Sequence, residues 1–350
     1  AFENPRVRGD QSKRVQGGSA PLVNSGESRR HISKSLSYDV LVIGGGPAGS
    51  LAARTAAQQN VSVLMVEKRQ EIGSPVRCAE GVSKRALAQL TELDPKWVSA
   101  EVDSARIHSP DGNFITVSSP DAGLILERKI FDRDMSAQAA QAGAEVWVKA
   151  RAVDLIKENG NIAGAIIRRP DGDYAIRAKV VIAADGVESQ TARWAGIDTS
   201  CKPNEVNTCA QYLMAGIDID SGYCDFYLGH KIAPRGYAWI FPKGNNSANV
   251  GVGIGGNIDN ETAVDYLNRF VEKELHSGSI LAMVVGCVPI GGVLSKIVLD
   301  GFMIVGDAAH QNDPVSGGGI INSMIAGQIA GEVAGQAIKR GDTSRRALIE

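Results

Sequence analysis

The first regular pattern in the chain is an unbroken apolar run. Residues 38–46, YDVLVIGGG, place hydrophobic side chains at successive positions and then run into glycine. That is the pattern of a strand covered on both faces of a parallel sheet. PAGSLAARTAAQQ follows as a helix of small residues, and VSVLMVEK as a second buried strand ending in an acid, which completes a βαβ unit. Further on, ERKIFDRDMSAQAAQAGAEVW predicts a helix and then a strand, and AVDLIKENGNIAGAIIRR a strand, a turn and a strand. DYAIRAKVVIAADG predicts a hairpin-like pair whose second strand is fully apolar. From 204 to 256 the pattern changes to apolar–polar alternation broken by Gly and Pro, as in an antiparallel sheet. A helix is expected over 261–276, then a strand in GFMIVGDAAH and a long helix of small residues in GGGIINSMIAGQIAGEVAGQAIKRG.

The two ends of the chain share one character. They are expected to form one discontinuous α/β domain, residues 37–110, 120–200 and 296–340, with a mainly antiparallel domain at 204–295 inserted. Residues 1–36 have no period and carry seven Lys or Arg against three acidic residues, which predicts a disordered or atypical extension.

Composition narrows the function. The 350 residues hold 37 Lys and Arg against 39 Asp and Glu, a net charge of −2, so there is no basic field to attract nucleic acid. The five cysteines are Cys78, Cys201, Cys209, Cys224 and Cys287. They are odd in number, widely spaced and without a C-x-x-C, which argues against a disulfide scaffold or a zinc site and for a reducing, cytoplasmic setting. The five histidines are scattered without metal spacing, so no metal is expected; His310 is the one that follows an acid at a strand end. The longest apolar stretch, 279–298, is broken by Pro and three Gly and carries a Lys, so it does not read as a spanning helix. Peripheral contact with the inner face of a membrane stays open.

Glycine is abundant, 40 residues, and it clusters where chemistry is expected. Gly44, Gly46 and Gly49 form G-x-G-x-x-G between the first strand and its helix. In such a motif the first glycine allows the turn, the second lets a pyrophosphate approach, and the third lets helix and strand pack closely. Glu67 ends the next strand, 23 residues after Gly44, in place to accept from a ribose 2′-hydroxyl. FAD or NAD therefore fits better than NADP. Asp307 ends a second such strand, and Gly317, Gly318 and Gly319 open a helix whose free amides can face the electron-rich edge of a flavin. A plain NAD dehydrogenase does not need this second unit, which selects FAD. Tyr237, Trp239 and Phe241 stand at i, i+2 and i+4, on one face of a strand, with Pro242 next. Three aromatics in a chain with 5% aromatic residues suggest the wall of an apolar channel as much as a core stripe.

Together GGGPAG, EKR..IGSPVRCAEG, LERKIFD, AADG.ES, YAWIFPKG and GDAA....P..GGGI resemble the geranylgeranyl reductase family, most of all its archaeal digeranylgeranylglycerophospholipid reductases. The resemblance runs from Tyr38 to the last residue. It implies a Rossmann-like FAD-binding domain of the para-hydroxybenzoate hydroxylase type, with the antiparallel sheet as substrate domain. It implies an enzyme that saturates isolated prenyl double bonds, by hydride from reduced flavin N5 plus a proton, in archaeal-type membrane lipid synthesis. It implies Ala48, Gly49, Glu67, Cys78, Ala79, Arg128, Val153, Asp307, Gly319 and Ile320 as neighbours of FAD. Arg128 would serve the pyrophosphate or ribityl side, and the Val153 backbone the adenine.

By the same resemblance Cys78 lies beside flavin and substrate, and Tyr237, Trp239 and Phe241 line a prenyl pocket. The acid remains open between Cys78, Tyr237, the more distant Tyr212 and a water, and Arg77 is expected to lower the Cys78 pKa. The ring faces of Trp239 and Tyr237 can stabilise developing positive charge. The partners implied are a polyprenyl lipid and an external electron donor: NAD(P)H, a ferredoxin-like protein or another reduced carrier. The nearest alternatives are an FAD-dependent hydroxylase or epoxidase and a non-catalytic flavin- or lipid-binding fragment. Ser189 is followed by Arg193, four positions on as in the reductases, rather than three as in the flavin monooxygenases. The chain ends about 40 residues after Asp307, so the helical part after it is expected to be short for the family.

Overall fold

A computed structural model describes residues 32–256 and 261–349. The predicted extension at 1–36 lies outside these residues as far as position 31. In chain order the elements begin with β1 (Ile32–Ile43), α1 (Pro47–Gln58) and β2 (Val63–Val66). Next come β3 (Gly81–Val82), α2 (Lys84–Ala88), β4 (Val98–His108) and β5 (Phe114–Leu126). Then follow α3 (Arg128–Gln141), β6 (Glu145–Trp147), β7 (Arg151–Glu158), β8 (Asn161–Arg169), β9 (Gly172–Ala183) and α4 (Gln190–Trp194). The second half holds β10 (Val206–Ala215), β11 (Tyr223–Tyr227), β12 (Tyr237–Gly244), β13 (Ser247–Gly255), α5 (Ala263–Glu274) and β14 (Ser279–Pro289). It closes with β15 (Val298–Leu299), β16 (Phe302–Ile304), α6 (Ile320–Arg340) and α7 (Arg345–Ile349).

Two sheets organise these elements. The first runs β15-β16-β9-β1-β2-β6, with β8 joining β9 and β7 joining β8. Its centre is parallel: β16, β9, β1, β2 and β6 pair in the same direction. Val40, Leu41 and Val42 are fully buried, as the apolar run requires. The small residues of α1 let α6 lie directly on it, and Ala48, Ala52 and Ala56 join Ala330, Ala334 and Ala337 in one core.

The second sheet runs β14-β10-β13-β12-β11-β4-β5-β3. One of its faces packs Ala238, Ile240, Val250 and Val252 against Tyr266, Leu267 and Phe270 of α5. The other face looks back toward the first sheet.

Three expectations change. β1 begins at Ile32 rather than Tyr38, because residues 34–37 extend along β9 in register, Lys34 opposite Tyr174 and Leu36 opposite Ile176, and Ile32 pairs with Asp173 across an irregularity. DYAIRAKVVIA is one strand rather than a hairpin: β9 serves β8 on one side and β1 on the other, so its polar start is as much paired as its apolar end. The domain boundaries also move. Residues 81–108 and 120–126 are expected in the nucleotide domain, but together with 114–119 they supply β3, β4 and β5 of the second sheet. Their partner β11 is far along the chain, and the buried Asp225 fixes the register by taking a two-bond fork from Arg106, at 2.6 and 2.7 Å. Pairing over that separation leaves no trace in local periodicity.

Candidate active site

Where the two sheets face each other they enclose one large cavity of about 1250 Å³. Its first wall is the turn after β1. Gly44 has φ +114°, and a Cβ there would lie 2.2 Å from the Ala184 carbonyl oxygen; one on Gly49 would lie 1.9 Å from that of Gly44. Both glycines are required by backbone meeting backbone. Gly49 shapes this wall from behind and does not face the cavity. Gly46 caps α1 with open space where a side chain would stand and with no side-chain cap, so the first amides of α1 are left for an anion. Glu67 lines the cavity at the end of β2, and its carboxylate accepts from the amides of Gly45 at 3.0 Å and Arg69 at 2.9 Å.

The second wall is the turn after β16. Asp307 lines the cavity, and burial pushes its carboxyl up, while Asn312, Arg128 and His310 pull it back. Gly318, Gly319 and Ile320 bring the uncapped N-terminus of α6 to the same space. Ser189 ties the turn after β9 to this wall, its buried hydroxyl donating to the Ala308 carbonyl at 2.9 Å; neither it nor Arg193 faces the cavity. His310 is buried beside Cys201, with 3.6 Å between Nε2 and Sγ, and is also outside the cavity wall.

One buried polar atom lining the cavity, Asp185 Oδ1 in the turn after β9, has no partner among the described residues. Buried polar groups are nearly always paired, so an acceptor here awaits a polar ligand. Two open helix N-termini, an acid at each strand end and this acceptor together fit FAD. Val153, like Gly49, is an expected neighbour that does not line the cavity. It falls at a bulge in β7, and the adjacent Ala150, Arg151 and Ala152 line the cavity in its place.

Cys78, Ala79 and Arg128 meet at the centre. The Arg128 guanidinium forks onto Asp132 at 3.0 and 2.7 Å and lies beside the Cys78 thiol. Burial pushes the thiol up, and Arg128 only partly offsets this. The expectation that Arg77 would depress it is corrected: Arg77 packs its stem beside Gly286 of β14, and the nearby cation is Arg128. The thiol stays protonated in the neutral range.

The cavity floor is the inner face of the second sheet. Tyr237, Trp239 and Phe241 all line it, joined by Phe226, Val102 and Ile125 from neighbouring strands. The wall reading therefore prevails over a closed core stripe. Tyr237 does not offer a free proton, however, because its hydroxyl donates to the Ser316 carbonyl. Tyr212 and Pro242 are corrections: neither lines the cavity. Tyr212 alternates with the inward Gln211, so it points to the α5 side and donates to Asn268 at 2.7 Å. Pro242 alternates with Phe241 and shares the side of Ala238 and Ile240.

Four polar residues escaped the sequence reading: Glu80, Gln211, Lys243 and Asn249, all buried or nearly so beside Cys78. Their signal was a polar side chain at an otherwise apolar strand position, as with Gln211 in NTCAQYLMA and Asn249 in SANVGVGIG.

The fold and the site define an FAD-dependent oxidoreductase: a Rossmann-like FAD-binding domain with an inserted, mainly antiparallel sheet facing it across the cavity. Comparisons with known proteins refine the class. An FAD binding domain model matches residues 37–220, and a geranylgeranyl reductase catalytic domain model matches residues 205–288. The digeranylgeranylglycerophospholipid reductase of Methanosarcina acetivorans is 55% identical over 320 residues, 89% of this chain and 79% of that protein. The crystal structure of a geranylgeranyl bacteriochlorophyll reductase-like protein from Thermoplasma acidophilum superposes with a TM-score of 0.88 at 45% identity, covering 90% of this chain and 82% of that one. A flavin-dependent brominase, Bmp2, shares the fold at 20% identity, with a TM-score of 0.70 over 89% of this chain and 82% of its own. The chain belongs to the digeranylgeranylglycerophospholipid reductase family, FAD-dependent enzymes acting on CH–CH groups.

Proposed function

We propose that this chain saturates the isolated double bonds of geranylgeranyl chains carried by digeranylgeranylglycerophospholipids. The observation that supports it most directly is the continuity of the cavity. The FAD cradle and the apolar floor of Trp239, Phe241, Phe226 and Val102 form one space, with the protonated Cys78 at their junction. When bound between these walls, FAD in its reduced form would supply the hydride, from N5. The protein does the rest. The floor holds the prenyl chain by apolar burial, roughly 0.8 kcal/mol per carbon removed from water. Such a surface holds each isoprene unit equally well, so the chain can slide and present successive bonds. An unpolarised alkene needs its proton delivered as positive charge builds on the more substituted carbon. Cys78 Sγ is the proton source, since the Tyr237 hydroxyl is committed to Ser316. The Trp239 ring face steadies the developing cation.

Electrons come from an external carrier, NAD(P)H or a ferredoxin-like protein. We place the enzyme in the cytoplasm with peripheral contact at the membrane that holds its lipid. Ile280, Leu281 and Met283 of β14 support this, since they are exposed beside the cavity-lining Val284 and Val285. No helix among the described residues is long and apolar enough to cross a membrane.

The test is anaerobic. Chemically reduced holoenzyme mixed with a geranylgeranyl glycerophospholipid should be reoxidised without oxygen, and the product should gain two hydrogens per bond by mass spectrometry. A requirement for oxygen, with a product that gains an oxygen atom, would overturn the reading.

A further inference from the structure

The loop that carries Cys78 runs from β2 of the first sheet to β3 of the second, and it is held from the inner face of the second sheet. Three polar side chains rise from three adjacent strands and engage three consecutive residues. Gln211 of β10 donates to the Cys78 carbonyl at 3.0 Å. Asn249 of β13 donates to the Ala79 carbonyl at 3.2 Å and to Glu80 Oε2 at 2.7 Å. Lys243 of β12 donates to Glu80 Oε2 at 2.8 Å and to the Leu126 carbonyl at 2.6 Å, with Glu127 at 3.3 Å. The other carboxylate oxygen of Glu80 accepts from the Arg128 amide at 2.9 Å, and the Glu80 amide lies 3.3 Å from the Cys78 sulfur.

The directions of these bonds are forced. The Trp239 indole can only donate, and it donates to Gln211 Oε1 at 3.1 Å; the Cys78 carbonyl can only accept, so it takes the Gln211 amino group. The Asn249 amino group likewise faces two oxygens that can only accept. No proton rearrangement gives this network a second register. It also holds Glu80 at φ +74°, a left-handed backbone that a residue with a side chain rarely keeps without support. With both carbonyls of the loop tied down toward the sheet, the thiol is left facing the cavity beside Arg128.

We infer that Gln211 is a positioning residue: it locks the Cys78 thiol and the Trp239 ring into one geometry by bridging the Cys78 carbonyl to the indole N–H. The inference rests on the reading of Cys78 as proton source. It gives a reason for a buried polar side chain in a strand whose neighbours Ala210 and Tyr212 sit in an apolar core. Gln211 therefore sets proton delivery and the charge-stabilising ring together, and changes at this one position should alter turnover more than lipid binding.

The experiment uses FAD-loaded enzyme in three variants. Gln211→Met keeps the volume and loses both bonds. Its kcat should fall about tenfold or more, since small misplacement of reacting groups costs that much, while KM for the lipid changes less than about threefold. Alkylation of Cys78 by iodoacetamide, followed by peptide mass mapping, should quicken several-fold as the thiol is released. Gln211→Glu keeps the acceptor for Trp239. When protonated it regains a donor toward Cys78, so its activity should recover as pH is lowered. Cys78→Ala separates the two readings. If it retains the wild-type rate, the acid role of Cys78 fails, and the alkylation rate in Gln211→Met still decides whether Gln211 holds the loop. If Cys78→Ala is slow but Gln211→Met turns over and alkylates like wild type, the inference about Gln211 is wrong. Where Gln211→Met yields no FAD-loaded protein, Gln211→Glu carries the same two measurements.

Discussion

Trp239 owes its place to a residue without a side chain. The indole lies flat over Gly251, where a Cβ would come within 2.2 Å of its Cζ2. Gly251→Ala should therefore tip the ring into the cavity. The expected result is a raised KM for prenyl lipid with FAD content unchanged, read by steady-state kinetics and flavin absorbance. Cys78 gives a second prediction at this scale. Burial holds its thiol above the ordinary cysteine range, with Arg128 opposing. An acid must be protonated to act, so turnover should be full below that raised pKa and lost only as pH rises through it. A pH profile of kcat whose alkaline limb falls below the range of a free thiol would count against Cys78.

Among the elements, α1 and α6 meet with nothing between their backbones. A Cβ on Gly327 would lie 2.2 Å from the Ala48 carbonyl oxygen, and one on Gly331 2.4 Å from that of Ala52. The small residues of both helices are thus a packing requirement, and α1 is the helix whose N-terminus faces the FAD cradle. Gly327→Val should cost about 1–3 kcal/mol, typical of overpacking, and lower FAD occupancy; thermal unfolding and flavin stoichiometry measure both. The pairing of β12 with the Cys78 loop depends on Lys243 and Glu80, whose side chains are 7% and 6% exposed. Removing one partner of such a pair strands a buried charge. Lys243→Met should destabilise the fold by about 3–5 kcal/mol, measured by urea unfolding.

At the scale of the molecule, one cavity lies between two sheets, and neither sheet is built from a continuous stretch of chain. A ligand that binds only the folded state adds its binding energy to stability. Holoenzyme at free FAD about a hundred times Kd should gain roughly 2.7 kcal/mol over apoenzyme, with a matching rise in Tm by calorimetry. The chain by itself determined the βαβ unit, the glycine turn, Glu67, Asp307, the uncapped start of α6 and the aromatic face of β12. Each is written in residues close together in sequence, where periodicity, turn chemistry and helix capping act. Only the tertiary structure decided that residues 81–126 belong to the second sheet, because β4 finds β11 across more than a hundred residues. It alone turned Tyr212 and Pro242 away from the cavity, since one step along a strand exchanges its faces and the pattern does not say which face meets the ligand. It alone brought Arg128 to Cys78, and Gln211, Asn249 and Lys243 beneath the loop. Those contacts are polar pairs between segments far apart in sequence, and the free energy that forms them comes from burial that exists only once the chain has closed around them.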